Sequence, residues 1–253
     1  MGNNLRLIFY NTYAFLKMEV DRFYLGFLWW VIEPIFYMTA FYFIFAIVLK
    51  RGGGPDFVVF LLCGIGPYRW FDGAVQSGAN SLLTNSRLMQ QVYVPKFIFP
   101  SVSVLTATTK FLIILTILLI FLIVYGIPVT LFWRCLPFVL FVQFLFIISV
   151  TWIIAAIIPL LPDLSTVIRY SILMMFFLSG VFYDINEAPE RVAVYFKINP
   201  MALIIDNYRR ILLNANWPNW HQLAAIALGS VILWKIAHIV LKKFDRKYPK
   251  LSI

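Results

Sequence analysis

The sequence predicts an all-α membrane protein of six spanning helices. Three observations carry that prediction. Of 253 residues, 62% are hydrophobic and 13% charged, whereas soluble domains carry about a quarter charged residues. Residues 111–133 and 135–162 contain no charged side chain, and about 20 apolar residues suffice to cross the hydrocarbon core. These runs do not alternate apolar and polar residues, so they read as helices and not as barrel strands.

The first element is an amphipathic helix within residues 1–25. Leu5, Ile8, Phe9, Leu16, Val20 and Phe23 recur at spacings near three, four and seven, with the charges mostly between them. Such a helix lies in the membrane interface. No apolar core separates Arg6, Lys17, Glu19, Asp21 and Arg22, so no cleavable signal peptide is expected.

Residues 26–253 then read as one transmembrane domain. Span one covers about 26–49 and ends at Lys50-Arg51-Gly52-Gly53-Gly54-Pro55, a turn signal. Span two covers about 57–83 and is interrupted by Gly64-Ile65-Gly66-Pro67. Span three, about 102–125, stops at Gly126-Ile127-Pro128, and span four, about 136–161, stops before Pro162-Asp163. Span five, about 167–183, is short; span six, about 223–241, runs into Lys242, Lys243, Arg246, Lys247 and Lys250. Six spans put both termini on one side. That side holds the larger share of Lys and Arg, which predicts cytoplasmic termini. The net charge of +10 follows from that excess and does not suggest a nucleic-acid partner. Cys63 and Cys135 read as small core fillers.

Between spans five and six, Asn199 suits an N-cap and Pro200 the first helical position. Met201, Ile204, Ile205, Tyr208, Ile211 and Leu212 form one apolar stripe, with Asp206, Asn207, Arg209 and Arg210 off it. A short span followed by an amphipathic helix predicts a re-entrant or surface-lying hairpin, with the polar side toward water or a passenger.

Few residues could carry chemistry. No phosphate-cradling GxxxxGK[ST] run occurs, and Gly52-Gly53-Gly54 lacks its lysine. His221 and His238 have no Cys or carboxylate at metal-ligand spacing, and no Ser-His-Asp arrangement emerges. No catalytic residue and no metal site is expected. Ionisable residues within spans are costly and mark function. Arg69 and Asp72 share a face of span two, and Glu33 lies at a depth similar to that of Lys110. Tyr37 and Phe41 share a face of span one, and Tyr68 neighbours Arg69. An aromatic and polar lining of this kind suits a carbohydrate passenger.

The run Leu25-Gly26-Phe27-Leu28-Trp29-Trp30-Val31-Ile32-Glu33-Pro34 resembles the LGxLWxxxxP signature of type-2 ABC exporter permeases. Phe60-Leu61-Leu62-Cys63-Gly64-Ile65-Gly66-Pro67-Tyr68-Arg69-Trp70-Phe71 resembles their FLxxGxxPWxFF segment, with Tyr68-Arg69 as a departure. Residues 85–100 resemble their cytoplasmic segment after span two, and Asn199-Pro200-Met201 their NPM or NPL motif. The subset most resembled exports capsular polysaccharide, O-antigen or teichoic acid. The resemblance implies an interface helix, six spans and re-entrant helices between spans five and six. It also implies a homodimer in the bacterial inner membrane, working with two copies of a separate ATPase that alone binds ATP and Mg. Channel residues would be Tyr37, Phe41, Tyr68, Arg69 and Asp72. Docking of the ATPase would fall to Arg87, Gln90, Gln91 and Lys96, and an outer gate to Asn199, Pro200, Asp206, Arg209 and Arg210. The passenger would be a lipid-linked polysaccharide. A permease for small amphiphiles is the alternative; a membrane-embedded transferase would need a His, Asp or Glu cluster that is not visible.

Overall fold

The computed structural model describes residues 2–22, 24, 26–44, 56–185, 195–196, 198–245 and 248. The described residues form helices joined by turns, in the order α1 (Gly2–Arg22), α2 (Trp29–Tyr42), α3 (Asp56–Ala79), α4 (Ser81–Thr84), α5 (Ser86–Gln91), α6 (Ile98–Tyr125), α7 (Leu136–Ile157), α8 (Leu164–Leu178), α9 (Pro200–Leu212) and α10 (Trp220–Phe244). Short 3-10 turns at Gly26–Leu28 and Leu131–Cys135 lead into α2 and α7.

Among the described residues, four helical stretches are long and apolar enough to cross a membrane: α3, α6, Leu131–Ile157 and α10. They correspond to predicted spans two, three, four and six. Helix α8 has 15 residues, about 22 Å at 1.5 Å per residue, short of a hydrocarbon core about 30 Å thick. Predicted span one is represented by α2, and residues 45–55, where it would end, lie outside the described residues.

Local chemistry sets the boundaries. Gly126 follows α6 with φ +101°, and Ile127 N–H donates to the Leu122 carbonyl at 3.0 Å. This left-handed cap ends a helix that its apolar composition would otherwise continue. Pro137 opens α7 where no helical N–H is needed. Asn199 accepts from Met201 N at 3.0 Å and Ala202 N at 3.4 Å, and Asn219 accepts from Gln222 N at 3.3 Å, so both α9 and α10 begin on side-chain caps.

Helix α3 is the centre of the bundle and packs against α2, α6, α7, α8 and α9. Its buried face carries Val59, Leu61, Ile65, Tyr68, Phe71, Ala74 and Val75. Trp70 stacks on Phe111 of α6 at 4.5 Å, and Phe71 on Phe146 of α7 at 5.6 Å. Pro67 lies inside α3 and removes one helical hydrogen bond. Gln143 of α7 donates to the Pro67 carbonyl at 2.8 Å and accepts from the Tyr208 hydroxyl at 2.8 Å. This buried amide joins α3, α7 and α9. Cys63 is a buried free thiol and Cys135 a half-buried one.

The bundle has two distinct ends. Tyr125 donates to Asp56 at 3.1 Å, tying the close of α6 to the start of α3. At the other end Tyr93 donates to Asp245 at 3.0 Å, and Tyr248 to the Ala156 carbonyl at 3.0 Å. Helix α9 packs near the Asp56 end, through Arg209 and the Phe60 carbonyl. Helix α5 follows α3 at the opposite end.

One sequence expectation changes. Helix α9 is not a half-exposed surface helix. Its apolar stripe is buried, with Met201, Ile204, Ile205, Tyr208 and Ile211 fully inaccessible, but Asp206 and Arg209 are also only 7% and 6% exposed. Arg209 meets protein backbone instead of water, while Asp206 pairs with Arg210, which stays part-exposed. Helix α1 packs against α6, with Ile8, Leu16 and Val20 half-buried while Leu5 and Phe9 remain exposed. Only part of its apolar stripe is therefore covered by protein.

Candidate functional site

The face of α3 opposite its core is polar. Arg69, Asp72, Gln76, Asn80 and Thr84 follow one another at spacings of three and four, with Gly73 and Ser77 beside them, which aligns them along one side of the α3–α4 run. Ser103, Thr106 and Lys110 of α6 face this stripe. Asn11, Phe15 and Glu19 of α1, with Trp30 and Glu33 of α2, complete the walls. They enclose a cleft of about 860 Å³. It extends from Asn85 and Leu88 at the α5 end to Arg69 and Lys110 deep along the spans.

Depth follows from helical rise. Arg69 lies ten residues before Ala79 and Lys110 twelve after Ile98, about 15 and 18 Å along their helices. Unpaired charge there would be strongly unfavourable, and both cations are paired. Arg69 meets Asp72 at 3.0 Å through Nη1 and Glu33 through Nη2. Gln76 donates to the other Asp72 oxygen. Lys110 pairs with Glu19 and sits 5.5 Å from the Trp30 ring centre, while Trp30 donates to Glu19 at 3.4 Å. The two clusters fasten α2 to α3 and α1 to α6. Glu33 thus takes Arg69 as its partner and not Lys110, which Glu19 already holds.

The other predicted site residues distribute differently. Tyr68 is 2% exposed, donates to the Ile172 carbonyl of α8 and packs 5.0 Å from Phe176. It belongs to the core face of α3, turned from the cleft that Arg69 and Asp72 line. Tyr37 and Phe41 lie on α2, and their side chains fall outside the described residues. Arg87, Gln90 and Gln91 are exposed on α5. Lys96 is 2% exposed and donates to the Val94 carbonyl at 3.0 Å; burial holds its ammonium pKa below the usual lysine range, opposed by the nearby Asp245 charge. Lys96 is therefore packed within the chain, unlike the exposed Arg87, Gln90 and Gln91.

The residues named for the gate form a network. Asn199 caps α9 with its oxygen, while its Nδ2 donates to the Leu178 carbonyl at 3.0 Å and to Ser179 at 3.1 Å. Pro200 opens α9 at a position that needs no donor. Arg209 donates to the carbonyls of Gly180 at 2.6 Å, Val181 at 2.9 Å and Phe60 at 3.2 Å, and its guanidinium lies 3.4 Å from the Phe60 ring centre. These carbonyls stand at the end of α8 and in the first turns of α3, where a buried acceptor requires a donor. Arg210 pairs with Asp206 at 2.8 Å. Asn207 accepts from Asn219 N at 2.6 Å, fixing the turn into α10.

Sequence reasoning found Arg69 and Asp72 but missed the stripe to which they belong. Its signal was present in Gln76, Ser77, Asn80 and Thr84, polar residues continuing the same helical face toward the end of a span. Glu19 was grouped with the surface charges of α1, since nothing local marks a residue whose partner is 91 positions away. Among the described residues no group of three His, Cys, Asp or Glu could hold a metal ion.

Apolar helices long enough to cross a membrane, with a polar cleft running along two of them, fit a multi-pass membrane protein. Residues 9–213 match the ABC-2 type transporter family, and the chain belongs to that family. It is thus the membrane permease of an ABC transporter, a component that works with an ABC ATPase. The chain is similar to the O-antigen export system permease protein RfbA of Klebsiella pneumoniae, 25% identical over 252 residues that cover 99% of this chain and 96% of that protein. It is also similar to the O-antigen export system permease protein RfbA of Myxococcus xanthus, 28% identical over 227 residues that cover 88% and 87% of the two chains.

Proposed function

We propose that this permease exports a lipid-linked polysaccharide of the O-antigen kind across the bacterial inner membrane, as a homodimer with two copies of a separate ATPase. The observation that carries the reading is a polar cleft deep along apolar spans in a chain similar, nearly end to end, to O-antigen export permeases. A hydrophilic passenger needs such a surface, because the bilayer core offers no hydrogen-bond partners.

The homodimer is supported by α8. Val167, Tyr170, Met174 and Phe177 are 51–69% exposed along one side of it, and the helix is too short to cross lipid alone. A second copy against this stripe would complete the wall of a central passage, to which α2 would bring Tyr37 and Phe41. We assign ATPase docking to α5, through Arg87, Gln90 and Gln91, on a cytoplasmic side that also holds both termini. Outer closure falls to α9, at the opposite end, moving as a unit with α8 and the first turns of α3 through Arg209. The permease itself hydrolyses no ATP.

Deleting the gene should abolish surface polysaccharide and leave its lipid-linked form inside the cell, with the chain's expression restoring export. Normal surface polysaccharide in the deletion strain would refute the reading. Altered sensitivity to amphiphilic drugs in the same strain would instead favour a small-amphiphile passenger.

A further inference from the structure

We propose that the cleft between α3 and α6, within a single protomer, binds uncharged carbohydrate and rejects polyanionic glycans. The inference rests on the export reading and narrows its passenger to neutral glycan chains.

Charge is the first argument. The cations lining the cleft are Arg69 and Lys110, and the carboxylates are Glu19, Glu33 and Asp72, a formal balance of −1. Each cation already holds a carboxylate. A phosphate or uronate could bind only by displacing one, which would strip Asp72 (14% exposed) or Glu19 (34% exposed) of its cation or leave the exposed Glu33 charge facing the newcomer. Fields at this depth are screened far less than at the surface. The arrangement therefore disfavours anions as well as offering them nothing.

The remaining polar groups are neutral, and their state suits hydroxyls. Ser77 donates to the Gly73 carbonyl at 2.6 Å and Thr84 to the Asn80 carbonyl at 3.0 Å. A hydroxyl whose proton is held by its own helix still offers lone pairs, so it accepts from a sugar hydroxyl. Trp30 adds an aromatic surface to the same cleft, next to Lys110; amphipathic sugar rings match such a mixture of ring face and polar edge. A volume of about 860 Å³ falls within the range of ligand pockets, about 300–1,000 Å³.

The test uses the assembled permease–ATPase complex in lipid nanodiscs and saturation-transfer NMR, which detects weak binding. The probes are mannopentaose, which is uncharged, and a galacturonic acid pentamer, which is polyanionic. At low ionic strength mannopentaose should receive saturation and the galacturonate at least about tenfold less. The double variant Ser77→Val/Asn80→Leu should lose the mannopentaose signal. The double variant Glu33→Gln/Asp72→Asn changes the balance to +1 and releases Arg69, so it should gain a galacturonate signal, which misfolding could not produce. Equal transfer to both probes in the unmodified complex would overturn the inference. So would a mannopentaose signal that persists in Ser77→Val/Asn80→Leu. Either result, in a chain whose deletion abolishes surface polysaccharide, would discard the cleft assignment and leave the export reading standing.

Discussion

The guanidinium of Arg209 occupies the space that a side chain on Gly64 would need. A Cβ built at Gly64 would stand 2.7 Å from Nη2 and 3.3 Å from the Val181 Cα. The first glycine of Gly64-Ile65-Gly66-Pro67 is therefore a packing requirement. It lets α9 bring a charged side chain against the backbone of α3 and hold the end of α8 in the same grip.

Replacing Arg209 with Met should destabilise the permease by several kcal/mol, because three buried carbonyls lose their donor at about 1–3 kcal/mol each. Gly64→Ala should cost about 1–3 kcal/mol, as an overpacked site does. Thermal unfolding in detergent reads both. An Arg209→Met melting temperature equal to that of the unmodified chain would contradict the assigned role.

Asn199 has two functions that substitution can separate. Asn199→Ala removes the cap, at about 1 kcal/mol, and also the tie to Leu178 and Ser179. Asn199→Asp keeps the capping oxygen and loses the Nδ2 donor. The aspartate variant should melt between the unmodified chain and the alanine variant. Identical losses for the two variants would mean that the tie to α8, and not the cap, dominates.

The pair Glu19–Lys110 should show coupling in a double-mutant cycle. Glu19→Gln or Lys110→Met alone leaves the other charge unpaired along a span, and the double change removes both charges. A coupling energy of about 0.5–3 kcal/mol is expected for groups in one network. Strict additivity of the two losses would show that α1 is not fastened to α6 by this pair.

Docking and packing should separate at Arg87 and Lys96. Arg87→Glu with Gln90→Glu alters exposed α5 side chains, so it should weaken co-purification of the ATPase and leave the permease's melting unchanged. Lys96→Ala removes a buried lysine bonded to the Val94 carbonyl, so the permease's own melting should fall first. If Lys96→Ala abolished ATPase binding at unchanged stability, Lys96 would be a docking residue after all.

The sequence alone determined the class of this protein and the positions of most of its helices. Hydrophobic runs such as residues 111–133 are contiguous, and caps such as Asn199-Pro200 and Gly126 act within a turn, so both can be read without a partner segment. The polar face of α3 was equally local, since a helical period links Arg69 to Thr84. What only the tertiary structure decided was which of those polar groups meet each other. Glu33 has no local preference between Arg69 and Lys110; the packing of α1 against α6 brings Glu19 to Lys110 and leaves Arg69 to Glu33. Tyr68 and Arg69 are adjacent in sequence, yet a step of about 100° around the helix turns one into the core and the other into the cleft. Arg209 looked like a surface charge because a helix with one apolar stripe should have one wet side. Only the meeting of α3, α8 and α9 supplies the three backbone carbonyls that replace water around it, and no pattern within α9 encodes backbone groups that arrive from elsewhere in the chain.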